Sequence, residues 1–170
     1  MKNISAILLL AVLMVSCKEN KNTIPADTMT KDAADLALGL DRPSGKTADF
    51  SVGDITYSGK VSTQYFGDKV KDGFSIVCQQ DEPYALLQAT FASEAQAKGS
   101  LKPAGGFYAI EPGEAHIALS GAKLGSQEFV TKEESTGSIS VEGNKLVLKS
   151  LKLFSLDGHS KTVNAEVAFR

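Results

Sequence analysis

The sequence has little of the residues from which catalytic and metal sites are most often built. It contains two histidines, His116 and His159, which lie far apart in the chain, and two cysteines. No His-Glu-x-x-His segment and no Cys-x-x-Cys pair is present, so there is no zinc signature. A Gly-x-Ser-x-Gly nucleophile elbow and a phosphate-binding Gly-x-x-x-x-Gly-Lys loop are also missing. We therefore predict no catalytic residues, no metal and no cofactor.

The chain also carries no large excess of positive or negative charge. The chain has 18 Lys and Arg against 20 Asp and Glu, and its lysines are scattered among acids rather than collected in a run. Proteins that bind nucleic acid usually carry a basic patch. We therefore do not expect nucleic acid as a partner.

The first 16 residues have the layout of an export signal. Lys2 is followed by residues 4–15, which are apolar apart from Ser5. A cationic start before a short apolar run is typical of a secretory signal peptide. A membrane-spanning helix needs roughly 20 apolar residues, and neither this run nor any later one is that long. We predict that residues 1–16 are a signal peptide.

The end of this signal carries a specific motif, Leu13-Met14-Val15-Ser16-Cys17. It resembles the lipobox of bacterial lipoproteins. The resemblance implies cleavage between Ser16 and Cys17 and a thioether-linked diacylglycerol on Cys17. Two or three acyl chains hold a protein firmly, because each buried methylene contributes about 0.8 kcal/mol. The implied partner is a membrane, bound through the lipid, and the expected location is the outer membrane, facing the periplasm or the exterior. An ordinary signal peptide is the alternative.

Residues 17–48 are expected to connect this anchor to a folded domain. Residues 18–30 are rich in Lys, Asn, Thr, Asp and Pro, a composition that cannot bury a core and predicts a flexible tether. Asp27-Thr28-Met29 resembles the O-glycosylation motif of Bacteroidetes, which makes Thr28 a candidate glycan site, with a plain linker as the alternative. Residues 31–40 have the spacing of one short amphipathic helix, and a turn over residues 42–45 follows.

Residues 49–170 are predicted to form an all-β domain. Apolar and polar residues alternate in short segments separated by turn residues, which is typical of an antiparallel β-sandwich or a partly closed barrel. Gly59 indicates a bulge or bend, and a change of parity between Leu148 and Leu151 indicates a bulge near Lys149 and Ser150. Residues 142–145 and the pair Asp157-Gly158 predict tight hairpins. About nine strands are expected, over residues 55–65, 74–78, 84–91, 107–110, 115–119, 128–131, 137–141, 146–156 and 163–169.

Two chemically interesting side chains fall on these strands. Lipidation of Cys17 leaves Cys78 alone, so no internal disulfide can form. Cys78 shares a strand face with Phe74 and Ile76, which predicts a buried thiol rather than a free reactive one. His116 is on the opposite face from Ile117, and we predict that it faces solvent.

The segment Gly105-Gly106-Phe107-Tyr108 is the best candidate for a binding loop. Flexible glycines beside two aromatic residues are suited to contact a ligand. The alternative is a glycine-rich turn that leads into a strand with one aromatic side chain buried.

The succession of strands, with residues 137–141 before two closing hairpin strands, resembles small β-rich lipoproteins of Bacteroidetes, most of which have no assigned function. Three hypotheses follow. The first is a non-enzymatic binding or structural module whose unknown partner is an envelope protein or glycan. The second is a hydrolase of envelope polymers with a site assembled only in three dimensions. The third is an inhibitor or immunity-type lipoprotein.

Overall fold

The computed structural model describes residues 42–66, 73–107, 109–125 and 127–170. The predicted signal peptide, Cys17, Thr28 and the short helix lie outside these residues, and so does Tyr108. The described residues form ten strands and two single turns of 3-10 helix, Glu94–Gln96 and Ala122–Leu124. The strands are β1 Arg42–Val52, β2 Ile55–Phe66, β3 Gly73–Gln80, β4 Ala85–Phe91, β5 Gly99–Pro103, β6 Glu114–Gly121, β7 Phe129–Val130, β8 Ser138–Glu142, β9 Lys145–Phe154 and β10 Ser160–Ala168.

Nine of these strands close a barrel, in the order β10-β1-β2-β3-β4-β6-β5-β8-β9, with β9 paired to β10. Neighbouring strands are antiparallel except β5 and β6. The tenth strand, β7, lies in the seam between β6 and β9. It pairs with β6 at Phe129 and Val130, and with β9 at Val130. The predicted all-β class with about nine strands is confirmed.

The barrel interior is a packed hydrophobic core. Alternate residues of the strands point inward and are mostly apolar, with Thr63 as a polar exception, whereas many of the residues between them, such as Lys60 and Lys152, are exposed. Burying one such side chain contributes about 1.5–3 kcal/mol. Small barrels are filled by side chains in this way, and a bound molecule then contacts the outer surface or the ends. The largest fully buried side chains include Phe50, Tyr57, Phe74, Phe91, Phe129, Ile117, Leu119 and Leu148.

The barrel has two distinct ends. The Arg42 end, as we call it, contains the start of β1 at Arg42, the end of β2 at Phe66 and the end of β10 at Ala168. The Leu156 end contains the turns that join β1 to β2, β3 to β4 and β9 to β10, with Tyr84 and Leu156 among their residues. β1 begins at Arg42, earlier than the predicted start of the domain at residue 49, and the turn predicted over residues 42–45 is part of this strand.

Two predicted irregularities have different outcomes. The bulge near Lys149 and Ser150 is confirmed, because the register of β9 on β10 shifts there and Ser150 has a φ of 48°. Asn164 stabilises it by accepting the Ser150 N–H at 2.7 Å. The predicted bulge at Gly59 is absent, since β2 keeps a regular register with β1 on both sides of this residue. A Cβ at Gly59 would lie 2.8 Å from Cys78 Sγ, so close packing of the two strands is what requires glycine.

Two further local predictions, the strand over residues 107–110 and the hairpin at Asp157-Gly158, were wrong because they depend on contacts that the local pattern does not show. Residues 107–110 are not a strand, and β5 lies earlier, at Gly99–Pro103. β5 is short and polar, so its alternation is weak. The apolar Phe107, which suggested a strand, packs instead on the outside of the sheet. The Asp157-Gly158 pair is not a two-residue hairpin. Ser155 donates its N–H to the carbonyl of His159 at 2.9 Å, which closes a longer loop.

Candidate functional site

The predicted binding loop lies on the outer surface of the barrel. The centroid of the Phe107 ring is 5.7 Å from that of Phe66 on β2 and 5.9 Å from that of His116 on β6, with both pairs nearly perpendicular. Strands β3 and β4 lie between β2 and β6, and adjacent strands are about 4.8 Å apart. Phe107 therefore lies over β3 and β4. Gly105 and Gly106 precede it in the same loop.

Beneath Phe107 is a row of four polar side chains on adjacent strands. Gln64, Ser75, Thr90 and His116 are successive register partners, and we call them the outer polar row. They alternate with core residues and therefore point away from the barrel interior. Ser75 and Thr90 are nevertheless 0% exposed and His116 is 6% exposed. The prediction that His116 faces solvent is wrong, because the loop that carries Phe107 lies over this part of the outer face.

The hydroxyl groups of Ser75 and Thr90 form one hydrogen bond with each other, which leaves one of their hydrogens unused. Ser75 Oγ and Thr90 Oγ1 are 2.6 Å apart and share one hydrogen bond. Gln88, on the same face of β4, donates Nε2–H to Ser75 Oγ at 3.2 Å. Two hydroxyl groups carry two hydrogens. Within the described part of the chain, one O–H of this pair is therefore available to an acceptor.

His116 is neutral, and its tautomer follows from Thr131. Thr131 Oγ1 donates its only hydrogen to the carbonyl of Ala104 at 2.9 Å, so its 3.5 Å contact with His116 Nδ1 requires the histidine to donate. Nε2 is then an acceptor. Burial lowers the pKa of His116 below 6.5, opposed by hydrogen bonding to the Ala104 backbone and by the charge of Glu128.

Because the pKa of His116 is lowered on folding, we predict a pH-dependent stability. Between its folded-state pKa and 6.5 the unfolded chain binds more protons at this site. The free energy of unfolding therefore decreases as pH falls from 6.5 through the folded-state pKa of His116. His116→Gln removes this titration, so urea unfolding from about pH 7 to about pH 5 should show a smaller loss of stability than in the wild type. Equal losses in the two proteins would contradict the assignment.

A second surface feature lies at the Leu156 end. Leu156 is fully exposed, and together with Tyr84, which is 42% exposed, it accounts for the exposed large hydrophobic side chains of the described residues. Leu156 borders a largely apolar cleft of about 400 Å³. The other residues lining this cleft are Gln127, Glu128, Val130, Lys132, Ser155 and Asp157.

The loop that carries Leu156 is held in one shape by hydrogen bonds. Ser155 donates Oγ–H to Asp157 Oδ1 at 2.6 Å, and Gln127 donates its amide to the other carboxylate oxygen. The bond from Ser155 is the main reason that the pKa of Asp157 is lowered, with smaller contributions from His159 and Gln127. Asp157 therefore stays ionised and keeps accepting both bonds at neutral pH.

The same loop brings together a serine, an aspartate and a histidine, but not as a catalytic triad. In a triad the histidine lies between the other two and takes the proton from serine. Here Ser155 donates directly to Asp157, and His159 Nε2 lies 3.7 Å from the other oxygen of that carboxylate. The arrangement stabilises the loop, and His159 does not lie between Ser155 and Asp157 as a triad requires.

Across residues 42–66, 73–107, 109–125 and 127–170, no group of three or more His, Cys, Asp or Glu side chains is arranged to hold a metal ion. No helix within those ranges is both long enough and apolar enough to cross a membrane.

Cys78 is buried, as predicted, at 1% exposure, with Sγ 3.4 Å from the Ala48 carbonyl. Burial raises the pKa of this thiol to about 11. Since the thiolate is the reactive form, we predict that iodoacetamide leaves Cys78 unmodified in the folded protein at about pH 8 and modifies it in denaturant. Mass spectrometry of the peptide measures this, and rapid labelling without denaturant would contradict the burial.

No known protein family, no curated protein and no solved structure matches this chain.

Proposed function

We propose that this chain is a lipid-anchored outer-membrane protein and that its barrel is a non-enzymatic module which binds an envelope protein with its Leu156 end. The observation that carries the proposal is the fully exposed Leu156 beside an apolar cleft. In protein interfaces a few side chains that become fully desolvated carry most of the binding energy.

The energetics favour this surface as a contact. Burying the Leu156 side chain against a partner would contribute about 1.5–3 kcal/mol. The bonds from Ser155 and Gln127 to Asp157 already hold the loop, so little conformational freedom is lost when a partner binds. Glu128 and Lys132 at the cleft supply charges of both signs for a polar rim.

The topology supports the orientation that such a role needs. β1 begins at Arg42, at the end of the barrel opposite Leu156. A lipid on Cys17 would therefore join the barrel at the Arg42 end and leave the Leu156 end unobstructed by the tether. A packed core also leaves binding to the outer surface and the ends.

The anchoring part of the proposal has its own test. Cells that express the chain in the presence of radiolabelled palmitate should label the wild type and leave Cys17→Ser unlabelled. A labelled Cys17→Ser protein, or an unlabelled wild type, would contradict lipidation at this residue.

The binding part is tested by affinity capture. The lipidated, tagged protein is cross-linked in its native envelope, purified and analysed by mass spectrometry. We expect one reproducible protein partner, lost with Cys17→Ser and with Leu156→Asp. Asn144→Asp is the matched control, because it adds the same charge to an exposed turn at the Arg42 end. A partner retained by Leu156→Asp, or lost equally in the control, would contradict the assigned surface.

A further inference from the structure

We propose that the outer polar row, together with the rings of Phe66 and Phe107, is a binding site for a neutral sugar unit that Phe107 closes in this structure. The site lies on the wall of the barrel, and it does not depend on the partner assigned to the Leu156 end.

The polar groups of the row are buried on a face that a barrel normally exposes to water. Outward-facing hydroxyl groups usually meet water, and removing a hydroxyl from water without a full set of bonds is unfavourable by about 1–3 kcal/mol. Ser75 and Thr90 are 0% exposed, yet their hydroxyl pair keeps one O–H without an acceptor in the described residues. A ligand oxygen would satisfy it.

The row presents both hydrogen-bond donors and hydrogen-bond acceptors. The Ser75–Thr90 pair offers an O–H donor, and His116 Nε2 is an acceptor in the tautomer that Thr131 requires. The amide of Gln88 adds an acceptor oxygen on the same face. Each sugar hydroxyl both donates and accepts. The row carries no charged side chain while His116 is neutral, which favours a neutral ligand over an anion.

Two phenylalanine rings supply an aromatic surface at the row. Phe66 and Phe107 meet edge to face with centroids 5.7 Å apart, with Phe107 over the row and Phe66 two residues beyond Gln64 on β2. Small-molecule sites typically combine apolar and aromatic walls with a few convergent polar groups. A sugar ring has the matching surface, with C–H groups on its faces and hydroxyls at its edge. Gly73, which is paired with Phe66 on the next strand, adds no side chain to this space.

The loop that carries Phe107 is built so that it can move aside. A Cβ added at Gly106 would meet no atom within 4 Å, and one added at Gly105 would meet Glu133 only at 3.6 Å. Both glycines therefore have little or nothing in contact with the side of the backbone where a side chain would lie. Glycine also has the widest choice of backbone conformations, so rotation at this point can lift Phe107 off the row.

The test is a titration of the chain from residue 17 onward, with Cys17→Ser so that no lipid or detergent is needed. The probes are glucose, galactose, N-acetylglucosamine and the β-1,4-linked dimer of N-acetylglucosamine. For at least one of them we expect amide NMR shifts confined to the neighbourhood of Ser75, Thr90, Phe107 and His116, with a Kd of about 1 mM or below. No shift with any probe would overturn the proposal.

Two variants separate a ligand site from a merely structural row. Thr90→Val removes one hydroxyl at nearly constant volume and should weaken binding at least tenfold. Thr63→Val is the matched control, because Thr63 is buried but points into the barrel, and it should bind as the wild type does. Phe107→Ala uncovers the outer polar row. This variant should still bind the sugar through the polar side chains, with weakened affinity. Shifts that are unchanged in Thr90→Val, or that move equally in Thr63→Val, would overturn the site.

Discussion

Gly137→Ala should be among the most destabilising single substitutions in the barrel. Gly137 has a φ of 102°, and a Cβ there would overlap the Ser150 carbonyl oxygen and lie 2.7 Å from Leu151 Cα. Both contacts are with backbone at the β9 bulge, which cannot rotate away as a side chain can. Backbone strain of about 1–2 kcal/mol adds to overpacking of about 1–3 kcal/mol. Urea unfolding should show a loss of several kcal/mol or no folded protein.

Gly113→Ala is the control for this substitution. Gly113 also has a positive φ, of 88°, but no atom lies within 4 Å of an added Cβ. It should therefore lose only the backbone part, about 1–2 kcal/mol. If both variants lose the same free energy of unfolding, the close approach of β8 to the bulge is not as described.

Thr131→Val should be the most destabilising change of a buried hydroxyl. Thr131 Oγ1 accepts the Ile117 N–H at 3.0 Å and donates to the Ala104 carbonyl at 2.9 Å, and Thr131 is 0% exposed. Valine has nearly the same shape but leaves the Ile117 N–H unpaired and removes one of the two donors, Thr131 and His116, from the Ala104 carbonyl. Each buried unpaired group costs about 1–3 kcal/mol. The free energy of unfolding should fall by about 2–5 kcal/mol, measured in urea.

Thr63→Val separates this effect from the general effect of replacing threonine. Thr63 is also buried, at 7% exposure, but faces the hydrophobic interior. Its replacement should change stability little. A comparable loss in both variants would show that Thr131 has no special role where β5, β6 and β7 meet.

The sequence pattern predicted the parts of the fold that depend on neighbouring residues in the chain. Alternation identified the strands that fill the core. The parity change between Leu148 and Leu151 located the bulge, which the structure places at Ser150. Cys78 was predicted to be buried because it shares a face with Phe74 and Ile76, and all three side chains are in the core.

The features that the pattern missed depend on contacts between distant segments. His116 has the alternation of an exposed residue, and only the position of Phe107 beside it shows that it is covered. The outer polar row exists because four strands align Gln64, Ser75, Thr90 and His116 in register. Register between strands is set by the whole closed barrel. Choosing between a barrel and a sandwich likewise required the pairing of β9 with β10.

The most direct test of the proposed function is site-specific photocross-linking in the native envelope. A photoreactive amino acid is placed at residue 156 of the lipidated protein and, as a control, at residue 144 at the opposite end of the barrel. We predict that illumination joins residue 156 to one envelope protein and that residue 144 gives no such product. Equal products from both positions, or a product from residue 144 alone, would contradict binding through the Leu156 end.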